Sequence, residues 1–480
     1  MKHMNKTRRD LLKKMGLGVA AAVPLISMTS CQNNESEKLN KAKGNILDYG
    51  AVGDGKTINT KAIQKTIDEV ANNGGGMVIV PAGTFLSGTI NLRSRITLFL
   101  ETGAVLKASR DIKLFQGQSY EEFFAEKKAA IRSQGKTAYG REEKDVFSNS
   151  YRAFILAENQ DDINIAGFGT IDGNYDEAIN WDVFTGDRVW LVLFKNCRRI
   201  HMRDISLINS EFWCINVLIC TDVHLRGLTI RNCRERITTD GIDIVSSKKV
   251  IISDCNIDVG DDTIAIHDHF GLGSEDIVIT NCLLRTTCHG VRVGVESANY
   301  QRNITVSNCI MDTPKPLGLQ MCDGGIFENI RFMNIQAKNV DSGILMYIHP
   351  RYGKEEMGNI RNITIDGLSV EGKGRICIVG IPERHIKNLN LRNIFWRIPK
   401  SEKPYEFKVH GTAAQKWAPL PDGGKYEKEP YHITIARVND VVLENICIED
   451  EDMSFRDRGL IYTPEVEHLV TNNVRWGTKR

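Results

Sequence analysis

Between about residue 190 and residue 450 the chain repeats itself. Short apolar runs return every twenty to thirty residues or so, as VWLVLF, CINVLI, GIDIVS, DTIAIH, GVRVGV, LGLQM, GILMYI, RICIVG and YHITIA. Each is followed by a second strand pattern such as RIHMRDISL, KVIISDCNI, DIVITNCLL or NITVSNCIM. Two to three strands per period, with Asn-Cys, Asp-Cys or Asn-Ile pairs at one place in it, mark a parallel β-solenoid. No helical period of comparable strength competes, so the expected fold class is all-β. At 480 residues two or three domains would fit, but the repeat argues for one elongated domain over residues 45–480.

In such a coil, residues one period apart stack at the strand spacing of about 4.8 Å. Four blocks fall on that period: Thr238-Thr239-Asp240-Gly241, Gly260-Asp261-Asp262, Cys288-His289-Gly290 and Leu317-Gly318-Leu319-Gln320. The steps from Asp240 to Asp262, His289 and Gln320 are 22, 27 and 31 residues, which predicts a column across four coils on one outer face. Carboxylates held this close raise one another's pKa and keep one acid protonated near neutrality, as general acid and base catalysis needs. A single Asp beside Gly more often caps a turn. Three blocks in register argue against that reading here.

These residues resemble the polygalacturonase-like glycoside hydrolases of family 28, whose pattern is Asn-Thr-Asp, then Gly-Asp-Asp, then Gly-His-Gly, then Arg-Ile-Lys. The segment YGAVGDGKTINTKAIQKTIDEVANNGGGMVIVPAGTFLSG, the run LETGAVL, GFGTIDGN and SEFWCINVLICTDVHLRGLTI extend the likeness over roughly residues 45–475. The resemblance implies a right-handed parallel β-helix and an inverting O-glycosyl hydrolase acting on pectic, uronate-containing glycans, with rhamnogalacturonan and exo-acting variants in range. By the same resemblance Asp261 protonates the leaving oxygen, Asp240 and Asp262 hold and deprotonate the attacking water, and His289 tunes the acid. Inversion calls for carboxyl groups about 6.5–9.5 Å apart. Adjacent Asp261 and Asp262 must lie at a bend, which Gly260 permits.

Where the family carries the two cations of Arg-Ile-Lys, this chain has Gly318 and Gln320. A Gln offers a neutral hydrogen bond in place of a charge-assisted one contributing about 1.5–3 kcal/mol. Compensating groups are sought in His349, Arg351 and Tyr352 of the next coil, in Arg292, and in His267 of the His267-Asp268-His269 run. That run has no further ligand cluster at metal-site spacing, so neither a metal nor a cofactor is expected.

Cys197, Cys233, Cys255, Cys282 and Cys309 recur at one point of the repeat and predict a buried ladder rather than disulfides. Residues 1–31 combine Thr7-Arg8-Arg9-Asp10-Leu11-Leu12-Lys13, an apolar run from Met15 to Met28, and Ser30-Cys31. They resemble a Tat-type lipoprotein signal with Cys31 as lipidation site, and imply export to the periplasm or outer membrane on a lipid anchor alone. Residues 32–44 read as a flexible tether. Removing six Lys or Arg and one Asp before Cys31 takes the formal charge from +2 to 2 − 5 = −3, with no basic stripe for nucleic acid.

Residues 59–73, with Ile63, Ile67 and Val70 on one face, predict a short amphipathic helix capping the N-terminal sheet edge. The stretches 113–150 and 399–430 interrupt the repeat and are expected as insertions walling a groove. Two other functions fit the fold: a calcium-dependent β-helix lyase, betrayed by chelator sensitivity and unsaturated products, and a catalytically silent glycan-binding solenoid.

Overall fold

The computed structural model describes residues 43–133, 150–175, 188–349, 357–400, 421–451 and 459–477. The described residues wind into a right-handed parallel β-helix. Its wall is a 23-stranded sheet facing a 13-stranded one. The register makes each coil stack on the last: Ile200, Val223, Val250, Ile277, Ile304, Ile330, Ile363, Leu389 and Val441 form one inward ladder. Such ladders fuse into one apolar core running from Ile46 to Ile448.

The recurring Asn-Cys pairs are corners. Asn281, Asn308 and Asn334 sit at φ 57°, 54° and 53°, left-handed backbone that Asn tolerates better than most residues. Further along, Asn388, Asn362, Asn329 and Asn303 pass side-chain hydrogen bonds from coil to coil at 3.0–3.1 Å. The cysteine after each corner turns inward. Cys255, Cys282 and Cys309 stack, each carbonyl accepting an N–H from the next coil, and Cys197 stacks on Cys220 in a separate ladder. Cys233 is a correction to the expected set. It lies half-exposed in the loop before Thr238, its thiol donating to Glu235 at 3.3 Å. All described cysteines are free thiols.

The capping helix is present as α1, Thr60–Asn72, burying Ile63, Thr66, Ile67 and Val70. It lies over the first strand, Lys43–Asn45, so the fold takes in the last residues of the expected tether. The first insertion contains a helix that periodicity did not reveal, α2, Tyr120–Ser133, preceded by a strand, Gln116–Ser119, antiparallel to Ser150–Glu158. Glu126 of α2 pairs with Lys195 at 2.8 Å, and Ala130 packs on an outer-face cluster of Trp190, Leu193 and Phe212. From the second insertion Tyr426 packs on another outer-face cluster, with Tyr347, Val379 and Ala436. Among the described residues no helix is long and apolar enough to cross a membrane.

Candidate active site

The site lies on the outer face of the 13-stranded sheet, on successive strands β1 (Ile215–Leu218), β2 (Ile242–Val245), β3 (Ile264–Asp268), β4 (His289–Ser297), β5 (Lys315–Met321) and β6 (Gly343–Ile348). Ile215, Ile242, Ile264, Val291 and Leu317 are paired in register and point into the core. Two residues earlier in each coil stand Trp213, Asp240, Asp262, His289 and Lys315. The column therefore exists, but its continuation past His289 is Lys315, not Gln320. From His289 to Lys315 is one coil of 26 residues, and Gln320 lies five residues farther along β5, paired with Gly294 and Tyr347. There it is 2% exposed.

Strict strand alternation would turn the column inward along with the core residues. Glycines at its coil entrances undo that. A Cβ on Gly241 would approach the core side chain of Ile257 to 2.7 Å, and one on Gly290 would meet Met311 Sδ at 2.8 Å. Both glycines thus face inward, two consecutive inward residues break the alternation, and Asp240 and His289 emerge outside. Gly260 does similar service at the bend: a Cβ there would lie 2.1 Å from Arg236 O. The bend frees Asp261 from its neighbour's direction.

The carboxylates of Asp240, Asp261 and Asp262 each bring an oxygen within 4.8 Å of the others. This nearest-oxygen distance is a different quantity from the 6.5–9.5 Å between carboxyl groups that inversion calls for. Asp261 accepts from Thr238 N–H at 2.7 Å and from Asp262 N–H at 3.0 Å. Thr238, at φ 67°, is held in that unfavourable conformation by a hydrogen bond from the buried Arg188 to its hydroxyl. Asp262 accepts from His289 Nδ1 at 2.8 Å and faces Arg292 Nη2 at 2.7 Å. Asp240 Oδ1 has no hydrogen-bond partner among the described residues.

These surroundings separate the three acids. Burial, then the charge of Asp261, drives the Asp240 pKa well up. Burial and Asp262 raise that of Asp261. Burial would raise Asp262 too, but Arg292 and His289 outweigh it and hold the carboxyl well below its ordinary range. Burial lowers His289 to about 4 despite Asp262, so its imidazole is neutral. One ionised carboxylate beside two that cling to protons is an acid–base arrangement.

Gly318 occupies the outer-face position stacked on Arg292, where a Cβ would stand 2.8 Å from His289 Cδ2. The His289 ring fills the space a side chain would need. His267 lies beneath the floor rather than on it, 1% exposed, between Glu296 at 2.9 Å and Asp243 at 3.4 Å. Burial works against its charge, but the two carboxylates carry its pKa up to about 9, while burial pushes Asp243 up to about 6. Its ring stacks on Trp213 at 5.8 Å, and Trp213 on Phe212 at 5.2 Å. His349 is partly buried at the end of β6. Arg351, Tyr352 and Cys31 lie outside the described residues. Sequence reasoning missed Lys315, Asp243, Arg188 and Trp213; counting back two residues from each apolar run would have found Trp213 and Lys315. Three clusters could hold a cation: the three Asp residues, Asp262 with Cys288 and His289, and His267 with His269 and Glu296.

Residues 111–376 match the sequence profile of the glycosyl hydrolases family 28, more than half of the chain. The chain belongs to family 28. This family 28 chain is 29% identical over 342 residues to a probable polygalacturonase of Vitis vinifera, covering 68% of itself and 60% of that protein, less than two thirds of its length. An endo-polygalacturonase of Pectobacterium carotovorum subsp. carotovorum is 27% identical over 360 residues, with 70% and 83% covered. In fold it is similar to a hyperthermoactive exopolygalacturonase from Thermotoga maritima (TM-score 0.62, 23% identity, 76% of this chain and 91% of that one). A family 28 exopolygalacturonase of Yersinia enterocolitica gives TM-score 0.67 at 18% identity, covering 89% and 78%.

Proposed function

We propose that the protein is an exported, inverting glycoside hydrolase that cleaves pectic, uronate-containing glycans. The observation that carries this reading is the triple-carboxylate cluster with divided proton affinities. Asp261, partly exposed and reluctant to ionise, protonates the leaving glycosidic oxygen. A water hydrogen-bonded to Asp240 and Asp262 fits between oxygens no more than 4.8 Å apart, since two bonds of about 2.8 Å span that gap. Ionised Asp262 takes its proton, and protonated Asp240 holds the water in place by a hydrogen bond. His289 and Arg292 keep Asp262 ionised. The α2 insertion on the outer-face cluster near Trp190 walls the groove on the side before Asp240, which supports attack from a chain end. Residues 1–31 support export, with Cys31 lipidated; a Cys31→Ala chain that still partitions with membranes would refute the anchor.

The deciding experiment incubates residues 43–480 with polygalacturonan, rhamnogalacturonan and short galacturonate oligomers, and resolves the products by anion-exchange chromatography. Saturated products that survive chelation and vanish in Asp261→Asn are expected. Unsaturated, chelator-sensitive products would establish a lyase instead, and binding without product the silent solenoid. Proton NMR of the first-formed anomer reads stereochemistry, and a retained anomer would overturn inversion.

A further inference from the structure

The column of Trp213, Asp240, Asp262 and His289 continues to a cation, Lys315, paired directly with His289. Its backbone is anchored. Thr313 Oγ1 donates to Cys288 O at 2.7 Å and accepts the Lys315 N–H at 3.1 Å, tying Lys315 to the coil that carries His289. Pro316 follows, which holds Lys315 in extended backbone. The side chain is partly exposed on the outer face, whereas Pro316 and Leu317 are buried.

Among the cationic side chains of β3 to β6 the others are already engaged. Arg292 is spent on Asp262 at 2.7 Å, His267 is sealed between Asp243 and Glu296, and His289 is neutral and bound to Asp262. Lys315 carries no ion pair among the described residues. Gln320 is buried, and Gly318 has no room for a side chain. A glycan lying along the column would set consecutive sugars on consecutive coils, because a pyranose unit is about as long as the strand spacing of roughly 4.8 Å.

We infer that Lys315 binds the carboxylate of a uronate seated one coil beyond His289, two beyond Asp262, and so sets the preference of this site for acidic over neutral sugar at that position. This rests on the hydrolase reading above. Its ammonium acts as a point charge, less demanding of geometry than a bidentate arginine.

The test compares wild type, Lys315→Met and Lys315→Arg on galacturonate oligomers and on the same oligomers with their carboxyls reduced to neutral galactose. Binding of both ligands to Asp261→Asn, with and without Lys315→Met, is measured by calorimetry. Lys315→Met should raise KM for the acidic oligomers by about tenfold to a hundredfold, leave kcat within a few-fold, spare the neutral ones, and be rescued by Lys315→Arg. Equal effects on acidic and neutral substrates, or none, would overturn the inference while leaving the hydrolase reading intact. Lysine-dependent binding without any turnover would sink the hydrolase reading alone. Absence of both binding and turnover of uronate oligomers would sink both.

Discussion

Asp262 illustrates how a buried carboxylate is kept ionised: two hydrogen bonds from one histidine and one guanidinium oppose its desolvation. Its neighbours lack that support, so their protons are available. If Asp261 is the acid, Asp261→Asn should lower kcat by about two to four orders of magnitude with little change in KM, read from steady-state kinetics on the preferred oligomer. Gly318 makes a steric prediction. A Cβ there would press on the His289 ring at 2.8 Å, so Gly318→Ala should destabilise the protein by about 1–3 kcal/mol and reduce turnover by displacing His289 from Asp262; urea unfolding and kcat measure the two effects. Restoring a cation at Gln320 is unpromising for a related reason. The side chain is 2% exposed beside Tyr347, and an ammonium there would be desolvated. His267 gives a pH prediction. Its folded pKa, about 9, lies above the unfolded value near 6.5, so its contribution is fully present below about pH 6.5 and lost as pH rises through 9. Asp243, raised to about 6, adds a second loss of stability on the same upward course, between about pH 4 and 6, because its buried carboxyl ionises there. Scanning calorimetry from pH 6.5 to 9.5 should show Tm falling in wild type and a flatter profile in His267→Gln.

At the scale of elements, parallel pairing turns a sequence period into a spatial contact, which is why the fold and the Asp240–Asp262–His289 stack were legible in sequence. The next step failed because an apolar run announces a strand without saying which of its residues meets which neighbour. LGLQM lies in β5, yet the residue stacked on His289 is Lys315 at its start. The roles of Arg292 and His267 were equally hidden, since an ion pair across coils leaves no periodic trace. Helix α2 escaped because an insertion need not obey the repeat. Helix α1 was legible from its spaced Ile63, Ile67 and Val70, and its work is to cover the first coil's open end. Ile67→Ala should cost about 2–5 kcal/mol by denaturant unfolding. Ile67→Lys should loosen the cap, expose a strand edge and produce concentration-dependent oligomers in light scattering.

Over the whole molecule, charge is balanced: the full chain carries +2, and residues 32–480 by themselves about 2 − 5 = −3, without a basic stripe in the sequence. Long-range attraction for a polyanionic glycan is therefore absent, and recognition of carboxylates is left to local groups such as Lys315. A strongly cationic cleft would lose association rate steeply with salt. Here the weak repulsion between a slightly acidic solenoid and a uronate polymer is what salt screens, and the Debye length shrinks to about 10 Å at 0.1 M. Raising ionic strength from about 0.02 to 0.1 M should leave kcat/KM for polygalacturonan unchanged or slightly higher, because an ion pair formed on contact is less screened than a field acting at a distance. A fall of an order of magnitude over that range would mean that long-range steering dominates, and would place a cationic surface among residues beyond the described strands.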